Sequence, residues 1–403
     1  MLSYPQDRAC PYQPSPGYQE IGRSGPLHRV SLWDGSSIWM VTGHATARSL
    51  LSDPRLSADR SRDDFPVVLP RFEAPIFKPI AIIGFDPPVH DIHRRMLAPD
   101  FSLKHVRDMR GGVEELTERL VDDMLRKGPP ADLVEDFALP IPSMVISQLL
   151  GVPYEDHAFF EAKTVGLLQA RDAAGAEAAG QALWDYLDEL ISAKERAPGG
   201  TDGVLGRLAG RVDGEDLTRE DLLRIALALL IGGHDTTSQM IALGVVTLLE
   251  HPGQLAALRA APAEAVPAAV EELLRMVSVT DVSGVRVANE DIEIDGEVIR
   301  AGEGVLVSSS MTNRDPAVYA DPYTFDIHRA ARGGGTASGR QHLTFGFGIH
   351  QCLGQNLARM ELEVAFTTLL ARVPGLRLAA PVGELPFRSG GTMQGVHRLP
   401  VEW

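Results

Sequence analysis

Cys352 stands in the run Phe345-Gly346-Phe347-Gly348-Ile349-His350-Gln351-Cys352-Leu353-Gly354, directly ahead of a helix-like stretch, Gln355 to Glu363. Glycines around a cysteine let the backbone fold tightly about the sulfur and let a flat group come close. A helix that begins just after the cysteine aims its first N–H groups back at the sulfur, which favours the thiolate. Such a thiolate suits iron, and haem iron held by a cysteine sulfur pushes electron density toward an O–O bond. The competing reading is a buried structural cysteine, common for this residue type.

A second candidate lies inside a long apolar helix. Thr218 with Asp221 three residues on forms a capping-box-like start, and His251-Pro252 stops the helix. Its middle is polar: Gly232-Gly233-His234-Asp235-Thr236-Thr237-Ser238-Gln239. A polar block in a buried helix is costly unless it has work to do. The paired glycines Gly232 and Gly233 lower helix stability but remove side chains, so a cofactor can press on the backbone, and they permit a local bulge. Asp235 and Thr236 then place a carboxylate and a hydroxyl beside that gap, which suits a proton relay. Two readings stay open. In the other, Thr236, Thr237 and Ser238 bond back to helix carbonyls and Asp235 reaches solvent.

Two further constellations carry charge. Glu272 and Arg275 sit three apart on one helical face, a spacing frequent on solvated helices. Asp86-Pro87-Pro88-Val89-His90 opens another helix, and the i,i+4 spacing puts His90 and Arg94 on one face. Cationic donors of this kind bind carboxylates in charge-assisted pairs. The alternative is a solvated basic patch, since His93 and Arg95 flank Arg94.

The elements that must position these residues are mostly helical. Periodicity predicts helices over Val106 to Lys127, Gly180 to Arg196, Thr218 to Glu250 and Pro267 to Met276. Hairpins are predicted over His28 to Thr42, turning in type I′ at Asp34-Gly35, and over Asp291 to Arg300, turning at Asp295-Gly296. Val305 to Ser309 is a candidate third strand. The fold class is mostly α with small β-sheets. No internal repeat or long linker breaks residues 1–403, which read as a single domain; Lys194 to Asp202 and Arg332 to Arg340 are short candidates for disorder.

A chain of 403 residues can bury a large core together with a cofactor. Its formal net charge of −16 argues against nucleic acid as a partner. With Cys352 on iron, Cys10 has no disulfide partner, which fits a reducing, cytoplasmic setting. Met1 to Arg23 carries no apolar h-region, so no membrane anchor is expected.

The pattern F-x-x-G-x-H-x-C-x-G resembles the haem-thiolate loop of the cytochrome P450 family, and Gly-Gly-x-Asp-Thr resembles its oxygen-activating helix. The resemblance runs from about Asp86 to the C-terminus with the motifs in family order. It implies a triangular helical domain that encloses haem b (iron protoporphyrin IX) between the long central helix and the Cys-bearing loop. It also implies a monooxygenase that puts one atom of O2 into an apolar small molecule by hydroxylation or epoxidation. Cys352 would be the axial iron ligand, with Phe345 packed near the sulfur and Gly354 admitting the next helix. Asp235 and Thr236 would manage protons, and His90, Arg94, Arg286 and His350 would clamp the haem propionates. Glu272 and Arg275 would form a structural network with a second arginine of the segments around Arg314 and Arg329. Met276 departs from relatives that carry an aromatic there. No flavin or iron–sulfur motif is present, so the resemblance implies electrons from a ferredoxin and a ferredoxin reductase. Arg94, Arg95 and Arg359 are candidates for the face that meets them.

The segments Phe65 to Phe85, Phe159 to Ala179, Val279 to Ser283 and the turn near Thr392 and Met393 are the expected pocket walls. The second, rich in Ala and Gly, reads as a mobile lid. Rival readings are a nitric oxide reductase or peroxygenase, a non-catalytic haem sensor, and a catalytically silent haem protein. The intact Asp235-Thr236 pair argues against the first two chemistries, and the absence of a signalling segment lowers the third.

Overall fold

In chain order the elements that frame the site are β1 (Leu27–Ser31), β2 (Ser37–Val41), α1 (Val89–Leu97), α2 (Leu103–Lys127), α3 (Pro140–Leu150), α4 (His157–Leu168), α5 (Ala173–Arg196), α6 (Arg219–Glu250), α7 (Val266–Val277), β3 (Val282–Ala288), β4 (Ile292–Ile294), β5 (Glu297–Ile299), β6 (Gly304–Ser308) and α8 (Gln355–Arg372). They come from a computed structural model that describes residues 1–8, 10, 12–196, 203–212, 216–332 and 341–403. The class is mostly α with small sheets.

Capping starts α6. The Thr218 hydroxyl accepts from the Asp221 N–H at 3.1 Å, and the Asp221 carboxylate accepts from the Thr218 N–H at 3.2 Å. From Leu222 to Leu248 this helix is buried on nearly every side, and α3, α7 and α8 pack against it. Each fully buried Leu, Ile or Val there contributes about 1.5–3 kcal/mol. The approach of α8 depends on Gly244, where a Cβ would lie 2.5 Å from Phe366 Cζ. No single helix among the described residues is long and apolar enough to cross a membrane.

One sheet orders its strands Leu2–Ser3, β1, β2, β6, β3, Leu56–Ser57. In the β3–β6 pair Arg286 lies opposite Val305. The strand predicted from Val305 therefore joins the large sheet rather than the β4–β5 hairpin. That hairpin turns as expected, with positive φ at both Asp295 (52°) and Gly296 (82°). The first hairpin does not. Only Gly35 has positive φ, the connection is longer, and Asp34 instead caps the N–H and hydroxyl of Ser36. Asp34 therefore behaves as an Asx turn.

The stretch read as a lid is largely helix. The Ala-rich residues from Ala173 begin α5 well before Gly180, because Ala favours the helix more than its small size suggests. The disorder candidates Lys194 to Asp202 and Arg332 to Arg340 lie largely outside the described residues.

Glu272 and Arg275 are both buried. Arg275 donates twice to the Glu272 carboxylate at 2.8 Å and reaches the carbonyls of Asn313 and Pro322. The second arginine on Glu272 is Arg329, at 3.1 Å. Arg314 is a correction: it is equally buried, but it donates to the carbonyls of Ser310, Met276 and Tyr12. It ties the N-terminal segment to the end of α7 instead of completing the acid's pairing.

Candidate active site

A cavity of about 470 Å³ lies between the middle of α6 and the Cys352 loop. The loop is shaped by two glycines at positive φ, Gly346 (69°) and Gly348 (75°); a Cβ on Gly348 would lie 2.6 Å from the Leu51 carbonyl oxygen. The Cys352 N–H donates to the Phe345 carbonyl at 2.8 Å, which turns the sulfur to the cavity. Surrounding protein raises the thiol pKa above its ordinary value, while the Gly354 N–H, Arg94 and Arg359 pull it down. The N–H at the helix start thus favours the thiolate, as expected from sequence, against the opposing effect of burial. A metal bound to the sulfur would supply the remaining drive, since a coordinating thiol loses its proton outright.

Behind the loop, Arg359 lies 4.5 Å over the Phe345 ring and pairs with Glu271 at 2.5 Å. His342 bonds the same carboxylate at 2.9 Å. Arg359 is thus an internal residue, not part of a docking face. Burial would raise Glu271, but the hydrogen bonds from His342 and Arg359 hold it down to about 2.

Across the cavity, α6 stays unbroken α-helix through the glycines, with no bulge. A Cβ on Gly232 would meet nothing within 4 Å, whereas one on Gly233 would lie 3.0 Å from Ile146 Cδ1. Packing explains Gly233, whereas Gly232 opens onto free space and lines the cavity. Thr236 faces the cavity, and its hydroxyl donates to the Gly232 carbonyl at 2.7 Å. Asp235 neither reaches solvent nor lines the cavity. It is buried and held in two bonds, 2.6 and 2.8 Å, by Arg388, a residue that sequence reasoning missed. No local pattern around Arg388 marks it.

Of the four expected propionate donors, Arg94, Arg286 and His350 line the cavity, and His90 packs against His350. The His90 and His350 rings are 4.3 Å apart, and His90 Nε2 is buried without a partner. His350 is pushed down to about 3, first by burial and then by Arg286. Arg286 is buried, bonds only its neighbour's carbonyl at Val285, and is lowered to about 10 by burial and by Arg60. Arg60 is a further cation, missed from sequence, and burial lowers it also to about 10. Arg94 is half-buried on the same cavity, its pKa lowered by burial. Among the described residues none of Arg60, Arg94 and Arg286 has an ion pair. Clustered unpaired cations at low exposure call for a polyanion. A flat apolar body with two carboxylates, reached by a sulfur on one face and by the gap at Gly232 on the other, fits these residues, and haem is such a group. Glu361, also missed, lines the cavity with one carboxyl oxygen unpartnered; burial raises it to about 8.

The family described as Cytochrome P450 matches residues 167–373. A vitamin D3 dihydroxylase of Streptomyces griseolus is 52% identical, with 100% of this chain and 97% of that one covered. A pentalenic acid synthase of Streptomyces avermitilis is 51% identical at the same coverage. The crystal structure of a mycinamicin VIII C21 methyl hydroxylase from Micromonospora griseorubida superposes with a TM-score of 0.92 at 37% identity, covering 100% of both chains. Relatives that match along the whole length in sequence, and structures that match along the whole length in fold, make the placement plain: this chain belongs to the cytochrome P450 family.

Proposed function

We propose that residues 1–403 act as one haem b monooxygenase domain in the cytoplasm, hydroxylating or epoxidising a medium or large apolar molecule with electrons from a ferredoxin and its reductase. The family brings haem, O2 and a separate electron source. Bound haem supplies the iron at which O2 is activated. The chain's residues do the rest. Cys352 would hold the iron, Arg60, Arg94 and Arg286 would neutralise the propionates, and His90 and His350 would donate hydrogen bonds to them. Gly232 leaves room above the ring, and the Thr236 hydroxyl holds a proton there. Phe345 excludes water from the sulfur side.

The carrying observation is the cavity that sets Cys352 opposite Gly232 and Thr236 with unpaired cations at one edge. Its remaining walls support an apolar substrate: Val68, Phe72, Leu168, Met240 and Val279. The relatives named for vitamin D3 and for a mycinamicin point the same way. Of the three arginines first considered for carrier docking, Arg95 is the exposed one and remains the candidate.

The first test is the absorption spectrum of the reduced, carbon monoxide-bound protein beside Cys352→Ser. A strongly red-shifted Soret band lost in the variant supports the reading. A band typical of histidine-ligated haem overturns it. Turnover of a panel containing vitamin D3 and macrolides then tests the substrate class.

A further inference from the structure

Buried hydroxyls on the helices of this protein normally bond back to their own helix. Thr117, Ser147 and Thr247 each donate to the carbonyl four residues earlier, at 2.6–2.7 Å, as does the cavity-facing Thr236. Three do not. Ser143 on α3, Thr164 on α4 and Ser238 on α6 are 0% exposed, and their hydroxyls have no partner. His234, one turn before Ser238, is also 0% exposed with both ring nitrogens unpartnered.

These groups lie where the three helices meet. The Phe160 ring on α4, one turn before Thr164, meets the His234 ring edge-on at 6.2 Å. Glu161 on α4 lies near Ser143 without the geometry of a full hydrogen bond. Ile146 on α3 packs at Gly233 on α6. Each unsatisfied buried polar group costs about 1–3 kcal/mol. Several together at one helix junction are what ordered water satisfies, at about three bonds per molecule.

We propose that α3, α4 and α6 enclose a hydrated pocket, bounded by Ser143, Thr164, His234 and Ser238, whose water chain carries protons from half-buried Glu161 to the Asp235-Thr236 turn. His234 directly precedes Asp235 on α6 and Ser238 lies one turn further on, so the inner end of the pocket abuts the Asp235–Arg388 pair. Burial raises the Glu161 carboxyl, which suits it to collecting a proton. Each hydroxyl or water gives one proton and takes another, solvent restores Glu161, and nothing is oxidised. The route deepens the monooxygenase reading and rests on it.

The test uses the haem-loaded protein. Thr164→Val and Ser143→Ala each remove one hydroxyl at nearly constant shape. In a hydrated pocket each lowers Tm by roughly 1–3 °C, because water loses a partner. A high-resolution crystal structure then holds ordered water on Thr164 or His234. Glu161→Gln raises the hydrogen peroxide released per electron pair about twofold or more, with the best-turned-over panel compound, at unchanged haem content. A rise in Tm for both hydroxyl variants, a dry junction, or an unchanged peroxide share under a normal carbon monoxide band overturns the proposal. Loss of the band with water still in place would instead overturn the monooxygenase reading.

Discussion

Replacing Arg388 by Met probes the pair that turns Asp235 away from the cavity. The guanidinium makes two bonds to the carboxylate, at 2.6 and 2.8 Å, with the side chains 10% and 1% exposed. Arg388→Met leaves a buried carboxylate without its partner, and breaking such a pair costs about 3–5 kcal/mol. For 403 residues the unfolding entropy is about 0.85 kcal/mol/K, so Tm falls by roughly 4–6 °C. Adding Asp235→Asn removes the stranded charge, and the double variant recovers roughly 2–3 °C relative to Arg388→Met alone. The assay is a thermal melt of all four members of the cycle, haem-loaded, at one scan rate. Additive shifts, or a drop below about 1 °C for Arg388→Met, would refute the claim that this pair is formed and buried.

Other consequences follow from single positions. Gly232→Ala adds a methyl that meets no protein atom, so it holds or raises Tm while shrinking the space above the haem and cutting turnover; Gly244→Ala drives a Cβ to 2.5 Å from Phe366 and destabilises by about 1–3 kcal/mol. Burial lifts the folded pKa of Glu361 from an ordinary 4.5 to about 8. The fold thus binds that proton more tightly than the unfolded chain, so its contribution is complete below the ordinary value and is lost as pH rises toward 8. Urea midpoints across that window fall for the natural protein and fall less for Glu361→Gln. Arg60→Ala and Arg286→Ala each speed haem loss to apomyoglobin, with the double variant worse than either; retention equal to the natural protein would remove Arg60 from the propionate edge.

What could be read from the chain itself was what short segments decide. The Cys352 loop, the capping box at Thr218, the Gly232-Gly233 pair and the Asp295-Gly296 turn each declare themselves within ten residues, because backbone conformation and caps are local. Even there competition intruded: Asp34-Gly35 looks like Asp295-Gly296, yet the Asp34 side chain caps Ser36 and the turn opens. Which side chains meet was left to packing. Arg388 reaches Asp235 across 153 positions, and Arg359 reaches Glu271 across 88. Arg329 rather than Arg314 completes the Glu272 pairing, and Arg60 arrives beside Arg286 through the large sheet and its flanking loop. Arginine pairs with any acid or carbonyl that burial brings to it, so its type announces a charge but not a partner. The partner exists only once helices and strands have packed.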